Sequence, residues 1–487
     1  MKRSQVVDIL NGVEDKFDVS SWRVLGVDVW PLLKIQTFLF WFEKNEQEKR
    51  QAPAQKPDRK GRMTNVFRLF KSAYWWVIFF MTRQRKRSHL FSGADGHRVV
   101  FQGKSVNRYF DPLMDLLEDE HGEHPLLLEQ STFNAACYRA DRMIDLNYFY
   151  PLANIIVKTR HKQSVVNALK NMPELNAAIE HLEAAFPTLG QGYIKRQMTY
   201  MIQTIVVWGF IFDRIFARTK PAYVFGLCYY SLKMYGMNLS AHRQGITSVD
   251  MQHGTQGSLH VAYGSFKKVP KDGYTIMPKI FWCWDASSVS AIETWSTKQN
   301  FHKVMLGGNP WIQYLDSDKV ANPLRDYHKR IILYTLQPLE PLLEDYIIAA
   351  IKNTPDEFEW WLRLHPRQLQ DKGRLLGILE HHAISGKVKV DEALEYPLPQ
   401  ILRAGSVHLS KFSGAIIEAA LMNTPNIILD EIGVAAFQAE MEEGKAVAFL
   451  TGDGQALVKL ILALQKPLEN SEAHERFGDF FIRNFNA

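Results

Sequence analysis

The sequence predicts an α/β protein made of two doubly wound halves facing a cleft, with extra helices ahead of the first half. Three observations lead there. The chain has 487 residues, enough for two large domains. From Lys220 onward, short apolar runs alternate with helical stretches, the rhythm of β–α–β units in a parallel sheet. That rhythm lapses across residues 312–328 and restarts at Arg330.

Taken in order, Asp28 to Phe42 (DVWPLLKIQTFLFWF) reads as an amphipathic helix with Pro31 in its first turn. The polar segment KNEQEKRQAPAQKPDRKGR has no apolar period and predicts a mobile loop. Val99 to Gln102 predicts a strand, and Asp111 to Glu120 a helix with Asp111 at its N-cap and Pro112 at N1. Pro125 to Leu128 is a further strand, and Ser164 to Arg218 is helical. Then come the strands PAYVFGLCYY, ITSVDMQHG, IFWCWD and VMLGGNP, with a helix from Ser231 to Gln244 ended by Gly245. In the second half the strands are IILYTLQ, EWWLRLHP, KVKV, SVHLS and PNIILD, interleaved with helices. HERFGDFFIRNF predicts a final helix with an aromatic face.

Composition narrows the function. Hydrophobic residues make up 46% and charged residues 23%, which excludes a disordered or fibrous chain. Cys137, Cys228 and Cys283 are far apart, with no zinc spacing, and fit a reducing compartment. The opening MKRSQVVDILNGVEDKF has no apolar h-region, and no run of 18 apolar residues exists, so neither a signal peptide nor a spanning helix is expected. The net charge is +6, yet Lys44 to Arg87 alone holds 13 basic and 3 acidic residues. The basicity is therefore local, and a nucleic-acid protein would spread it over a face. It brackets the run YWWVIFFM, so Trp75, Trp76, Arg83, Arg85, Lys86 and Arg87 are expected to touch an anionic membrane surface.

Three strand ends carry candidate chemistry. VDMQHGT places His253 after a strand, where a cleft-facing imidazole can act as general base, with Gly254 allowing a sharp turn. Arg363-Leu364-His365-Pro366-Arg367 puts cations at a second strand end, suited to a phosphate. Leu409-Ser410-Lys411-Phe412-Ser413-Gly414 leads into a helix whose N-terminus offers N–H groups to an anion, with Glu418 one turn on as an acceptor for a ribose. Asp111 is a rival base, and Gln337, ending IILYTLQ, joins the ligand-facing set. Asp316-Ser317-Asp318 has a metal-site form but falls in the expected linker, and no dinucleotide or Walker A motif is present.

Strand–QHG followed by strand–HP and strand–S-x-x-SG–helix–E resembles the two-domain GT-B glycosyltransferases of bacterial surface polysaccharides. The likeness is to capsule-polysaccharide and sialyltransferase-like enzymes, and GVDVWPLLK and GKSVNRYFDPLMD are similar to segments of capsule-type transferases. The HG-T element also resembles the W-H-G-T segment of teichoic-acid polyol-phosphate transferases, with Gln252 standing in place of Trp. The D/E-D-G motif of typical sialyltransferases is not found.

The resemblance implies a GT-B-like fold of two Rossmann-like domains. Residues 1–318 would bind the acceptor, with the basic insertion 44–87 at the membrane and Gln252 and Gly254 on the acceptor side. Residues 325–465 would bind a nucleotide sugar through Arg363, His365, Arg367, Ser410, Ser413, Gly414, Glu418 and Gln337, and 466–487 would pack back on the first domain. His253 would deprotonate a glycan or lipid-linked acceptor for in-line, inverting transfer, with no cofactor and no metal. The expected place is the cytoplasmic face of the membrane. Two other classes fit the same motifs: a CDP-activated polyol-phosphate transferase and a non-catalytic glycan-binding protein.

Overall fold

In the computed structural model the described residues are 3–49, 62–82, 86–131, 133, 136–257, 259–317, 319–325, 327–464 and 478–485. The chain divides into two compact units. The first comprises Met1–Arg98, Gly103–Gly308 and Phe481–Ala487; the second comprises Val99–Gln102 and Asn309–Phe480.

The first unit holds a seven-stranded parallel sheet. Its strands are β1 His89–Gly93, β2 Leu126–Glu129, β3 Met143–Asp145, β4 Tyr223–Gly226, β5 Thr247–Met251, β6 Ile280–Cys283 and β7 Lys303–Leu306. They lie in the order β7-β6-β5-β4-β1-β2-β3. The order runs one way from β1 to β3 and the other way from β4 to β7, so the reversal falls between β1 and β4. Such a reversal opens a crevice at the carboxyl ends of the strands.

The second unit holds a six-stranded parallel sheet of β8 Arg330–Thr335, β9 Phe358–Arg363, β10 Val388–Lys389, β11 Gly405–Ser410, β12 Asn426–Ile428 and β13 Ala446–Ala448. The order is β10-β9-β8-β11-β12-β13, with the reversal between β8 and β11. Thr335, the last residue of β8, pairs with both Arg363 and Ser410, which brings the expected motifs to one edge of the sheet. Two doubly wound parallel sheets are therefore the fold.

Several expected elements differ. Residues 99–102 lie outside both large sheets, and β1, paired on both sides inside the first sheet between β4 and β2, matches no expected strand. The helix expected to end at Phe42 runs on as Val29–Lys49, because the Glu, Lys and Gln residues after Phe42 are strong helix formers without any apolar period. The rest of the expected loop, 50–61, lies outside the described residues. Asp111 is the first residue of its helix rather than the cap, and its Oδ2 accepts from the Asn107 N–H at 2.7 Å.

Among the described residues one helix, Tyr193–Thr219, is long and apolar enough to cross a membrane by length and composition, where none was expected. Most of it is buried in the core of the first unit. It packs on Leu232–Gln244 so closely that a Cβ on Gly236 would stand 2.3 Å from Trp208 Cβ, so only glycine fits. The final helix Asp479–Phe485 seals β1, β4 and β6: Phe485 stacks on Trp282 with centroids 5.5 Å apart, and its carbonyl lies 2.6 Å from His89 Nε2.

The N-terminal helices are pinned by a buried charge pair. Lys34, from the helix Val29–Lys49, donates to Glu14 Oε1 at 2.8 Å and to the Ser265 carbonyl. Glu14, from the helix Arg3–Lys16, accepts from the backbone N–H groups of Lys267 and Lys268 through its other oxygen. Both side chains are shut off from solvent. Desolvation pulls the Lys34 pKa down, against the carboxylate that holds it charged.

The aromatic run forms the helix Arg62–Met81. Trp76 and Phe79 are core residues: Trp76 Nε1 donates to the Phe149 carbonyl at 3.0 Å, and Phe79 meets the Phe149 ring edge-on. Trp75 stacks on Tyr148 with centroids 5.1 Å apart. Arg87 is engaged by its guanidinium with the His124 carbonyl. The expected membrane-facing role of Trp75, Trp76 and Arg87 is thus corrected, since these side chains are taken up by the protein itself. Lys86 is exposed, and Arg83 and Arg85 lie outside the described residues.

Candidate functional site

In the first unit the site grows from β4 and β5. Register places Asp250 beside Gly226, and Asp250 ties the segment after β4 to β5. Its Oδ1 accepts from the Tyr229 N–H at 3.0 Å and its Oδ2 from the Tyr263 hydroxyl at 2.8 Å. Burial raises the Asp250 pKa to about 7, although nearby His253 opposes the shift.

His253 follows two residues after β5. Its Nε2 lies 2.9 Å from Cys228 Sγ and 3.4 Å from the Tyr230 hydroxyl. Burial pushes the Cys228 thiol up to about 12, so it stays protonated and is available as a donor to Nε2. With the thiol as donor, the proton of His253 is on Nδ1, which is buried and makes no hydrogen bond to a described residue. Burial also lowers the His253 pKa, with Asp250 pulling the other way. In that tautomer the neutral imidazole turns an Nε2 lone pair to a thiol and a phenol, the form a general base needs at neutral pH. Cys228 holds this place with a left-handed backbone, φ 53°.

The surroundings were not legible from the motif. His97 and Arg108 act electrostatically on His253, and His97 is itself pushed down to about 3 by burial. His260, its ring 5.6 Å from that of Tyr230, is also lowered to about 3. Asp250 sat within the same VDMQHG segment and could have been found three residues before His253. Cys228, 25 residues upstream, carries no sequence signal.

Gln252 is fully buried and spends its amide internally. Its Nε2 donates to the Gly254 carbonyl at 3.0 Å and to Ser288 Oγ at 3.0 Å, while its Oε1 accepts from the Trp284 N–H at 2.6 Å. It shapes the loop and is not placed to touch an acceptor. Gly254 has no left-handed backbone, and an added Cβ would meet nothing within 4 Å, so the expected need for glycine there is not found. Asp111 is buried near Arg98 and Glu129, and burial raises it to about 7.

In the second unit the ends of β9, β8 and β11 lie side by side, but the side chains there do different work. His365 caps the turn Pro366–Asp371, its Nδ1 accepting from the Arg367 N–H at 3.1 Å. That bond puts the proton on Nε2 and leaves Nε2–H as a donor. Burial and Arg367 both lower its pKa, so His365 is a neutral donor and not the expected cation. Arg367 is exposed. Arg363 is spent on the carbonyls of Ala393 and Tyr396, the latter at 2.8 Å, so it secures the segment after β10 instead of facing a ligand.

Ser410 is also corrected. It is fully buried, 2.9 Å from Thr335 Oγ1, in a chain that continues from Thr335 to His408 Nε2 at 2.9 Å and from His408 Nδ1 to Asn426 Oδ1 at 2.6 Å. Asn426 Nδ2 faces three carbonyls, which fixes its orientation and makes His408 Nδ1 the donor. Ser413 lies outside this chain; its Oγ accepts from the Ala415 N–H at 3.2 Å, leaving its own proton to give. Gly414 caps the helix Ala415–Leu421, and Glu418 is buried in it, not solvated. Lys411, paired with Glu344, was not singled out by the motif. Gln337 Nε2 is buried and makes no hydrogen bond to a described residue. Among the described residues no group of three or more His, Cys, Asp or Glu could hold a metal ion.

The His408 chain has a pH signature. Burial lowers His408 to about 4 in the folded chain, against about 6.5 when unfolded. Between those values the unfolded chain binds the extra proton, so stability is full above pH 6.5 and falls as pH drops towards 4. His408→Gln should flatten that fall by roughly 1.4 kcal/mol per pH unit. Urea unfolding of both proteins across this range measures it; identical slopes would contradict the neutral buried imidazole.

No family model matches the chain, and no curated protein matches it. Among solved structures, UDP-GlcNAc 2-epimerase from Methanocaldococcus jannaschii is similar at 12% identity, over 82% of this chain and 98% of that one, with a TM-score of 0.48. Anabaena HepE, solved with UDP and glucose, is 13% identical over 78% of this chain and 89% of that one, with a TM-score of 0.39. The wall teichoic acid polymerase TagF is 9% identical over 83% and 89%, with a TM-score of 0.41. Likenesses this slight carry no functional argument.

Proposed function

We propose that the chain is a metal-independent glycosyltransferase that moves a sugar from a nucleotide donor to a lipid-linked surface-polysaccharide acceptor. The observation that carries this reading is a set of donors without a partner among the described residues, in the segments that follow the adjacent strands β9, β8 and β11: Gln337 Nε2, His365 Nε2–H and Ser413 Oγ–H, with Arg367 close in sequence. A buried N–H without a partner costs free energy that a ligand oxygen would recover. Carboxyl ends at a sheet reversal are where open α/β sheets bind ligands.

In the proposed reaction, His253 Nε2 takes the proton of an acceptor hydroxyl, displacing the Cys228 thiol from its lone pair. The hydroxyl oxygen bonds to the anomeric carbon, and the bond from that carbon to the phosphate oxygen breaks. The electron pair leaves with the nucleotide, whose charge is met by His365, Arg367 and Ser413. In-line attack inverts the anomeric centre.

The test is calorimetry with CMP-, CDP-, UDP- and GDP-linked sugars in EDTA, followed by mass spectrometry of the product. One nucleotide class should bind without metal, and His365→Ala should weaken it by about 10- to 100-fold, the loss of one hydrogen bond to a charged group. Binding that requires a divalent ion would overturn metal independence. Selective binding of a CDP-linked polyol would favour the polyol-phosphate reading suggested by the HG-T element. Glycan binding with no nucleotide binding would leave a non-catalytic protein.

A further inference from the structure

We propose that the outward face of the helix Arg62–Met81 docks in the plane of an anionic lipid surface. The helix has two apolar faces. Ser72, Trp76 and Phe79 turn inward and are buried. On the opposite side, Phe67, Phe70, Tyr74, Val77 and Met81 are exposed, with Phe67 and Phe70 each at 71% and Met81 at 81%. Their spacing of three and four residues draws one straight stripe along the helix. A stripe of five large apolar side chains left in water marks a surface that something covers.

Charge selects the occupant. From Arg59 to Ala94 the sequence has nine Lys and Arg residues and no Asp or Glu. Arg68 and Lys71 are exposed on the helix itself, and Lys86 just beyond it. A second copy of the chain would bring the same cations against each other, which opposes self-association through this face. Anionic headgroups neutralise them, while Phe, Tyr and Met side chains enter the headgroup boundary. The helix cannot span the bilayer from this position, because its other face is held in the core of the first unit. It lies flat. The residues that make contact are therefore the stripe, and not Trp75 and Trp76.

The inference is independent of the transferase reading, since it needs no nucleotide. The full chain is sedimented with vesicles of phosphatidylcholine alone and with vesicles of phosphatidylcholine mixed with phosphatidylglycerol. Binding should require phosphatidylglycerol and weaken with salt. The combined variant Phe67→Ser, Phe70→Ser, Tyr74→Ser and Val77→Ser should lose binding about tenfold or more while keeping its melting temperature, because these side chains are exposed. Arg68→Gln with Lys71→Gln should lower binding in the same direction. Equal sedimentation with both vesicle types, or unchanged binding by the stripe variant, would overturn the proposal. So would light scattering showing a wild-type dimer that the stripe variant converts to monomer.

Discussion

His253→Ala should lower turnover by roughly two to four orders of magnitude and leave donor affinity unchanged. The imidazole is the neutral group with its Nε2 lone pair towards a thiol that a substrate hydroxyl can replace. It lies in the first unit, whereas the groups proposed to bind the donor lie in the second. Cys228→Ala should move the pH profile of turnover more than its maximum, since the thiol holds the tautomer but takes no proton from substrate. The rival is Asp111, buried, raised to about 7 and held on the Asn107 N–H. Turnover kept by His253→Ala and abolished by Asp111→Asn would transfer the role of base to Asp111. Melting temperatures of both variants separate loss of chemistry from loss of fold.

Lys34→Ala should destabilise the chain by about 3–5 kcal/mol, the cost of stranding a buried charge. Glu14 would keep its backbone donors at Lys267 and Lys268 but lose its cation. The double change Lys34→Met with Glu14→Gln removes both charges and should recover most of that loss, because a buried ion pair is worth little against an apolar or neutral replacement. Urea midpoints measure both. A small effect from Lys34→Ala would show that water reaches the pair.

Parts of the candidate site were legible because their chemistry is local. Strand-then-His, strand-then-HP and strand-then-Ser-Gly are patterns within ten residues, and the sheets bring the last two together through pairing at Thr335. What those side chains touch depends on distant residues. Ser410 and Ser413 look alike in sequence, yet one ends inside the sheet against Thr335 and the other sits at the helix start with its proton unspent. Arg363 and Arg367 flank the same His-Pro, but the carbonyls of Ala393 and Tyr396 claim only the first. The run YWWVIFFM offers every aromatic the same composition, and packing against Tyr148 and Phe149 decides which face is left to solvent.

The sequence by itself determined the class of fold and the number of parallel sheets, because the alternation of short apolar strands with helices is a property of neighbouring residues. It also determined where the positive charge is concentrated. Tertiary structure alone decided that β1 is enclosed in the first sheet between β4 and β2, that Cys228 meets His253, and that Lys34 is closed in with Glu14. Each of these contacts joins residues far apart in the chain, so no local period announces it; only the burial that accompanies folding sets their partners and shifts their proton affinities.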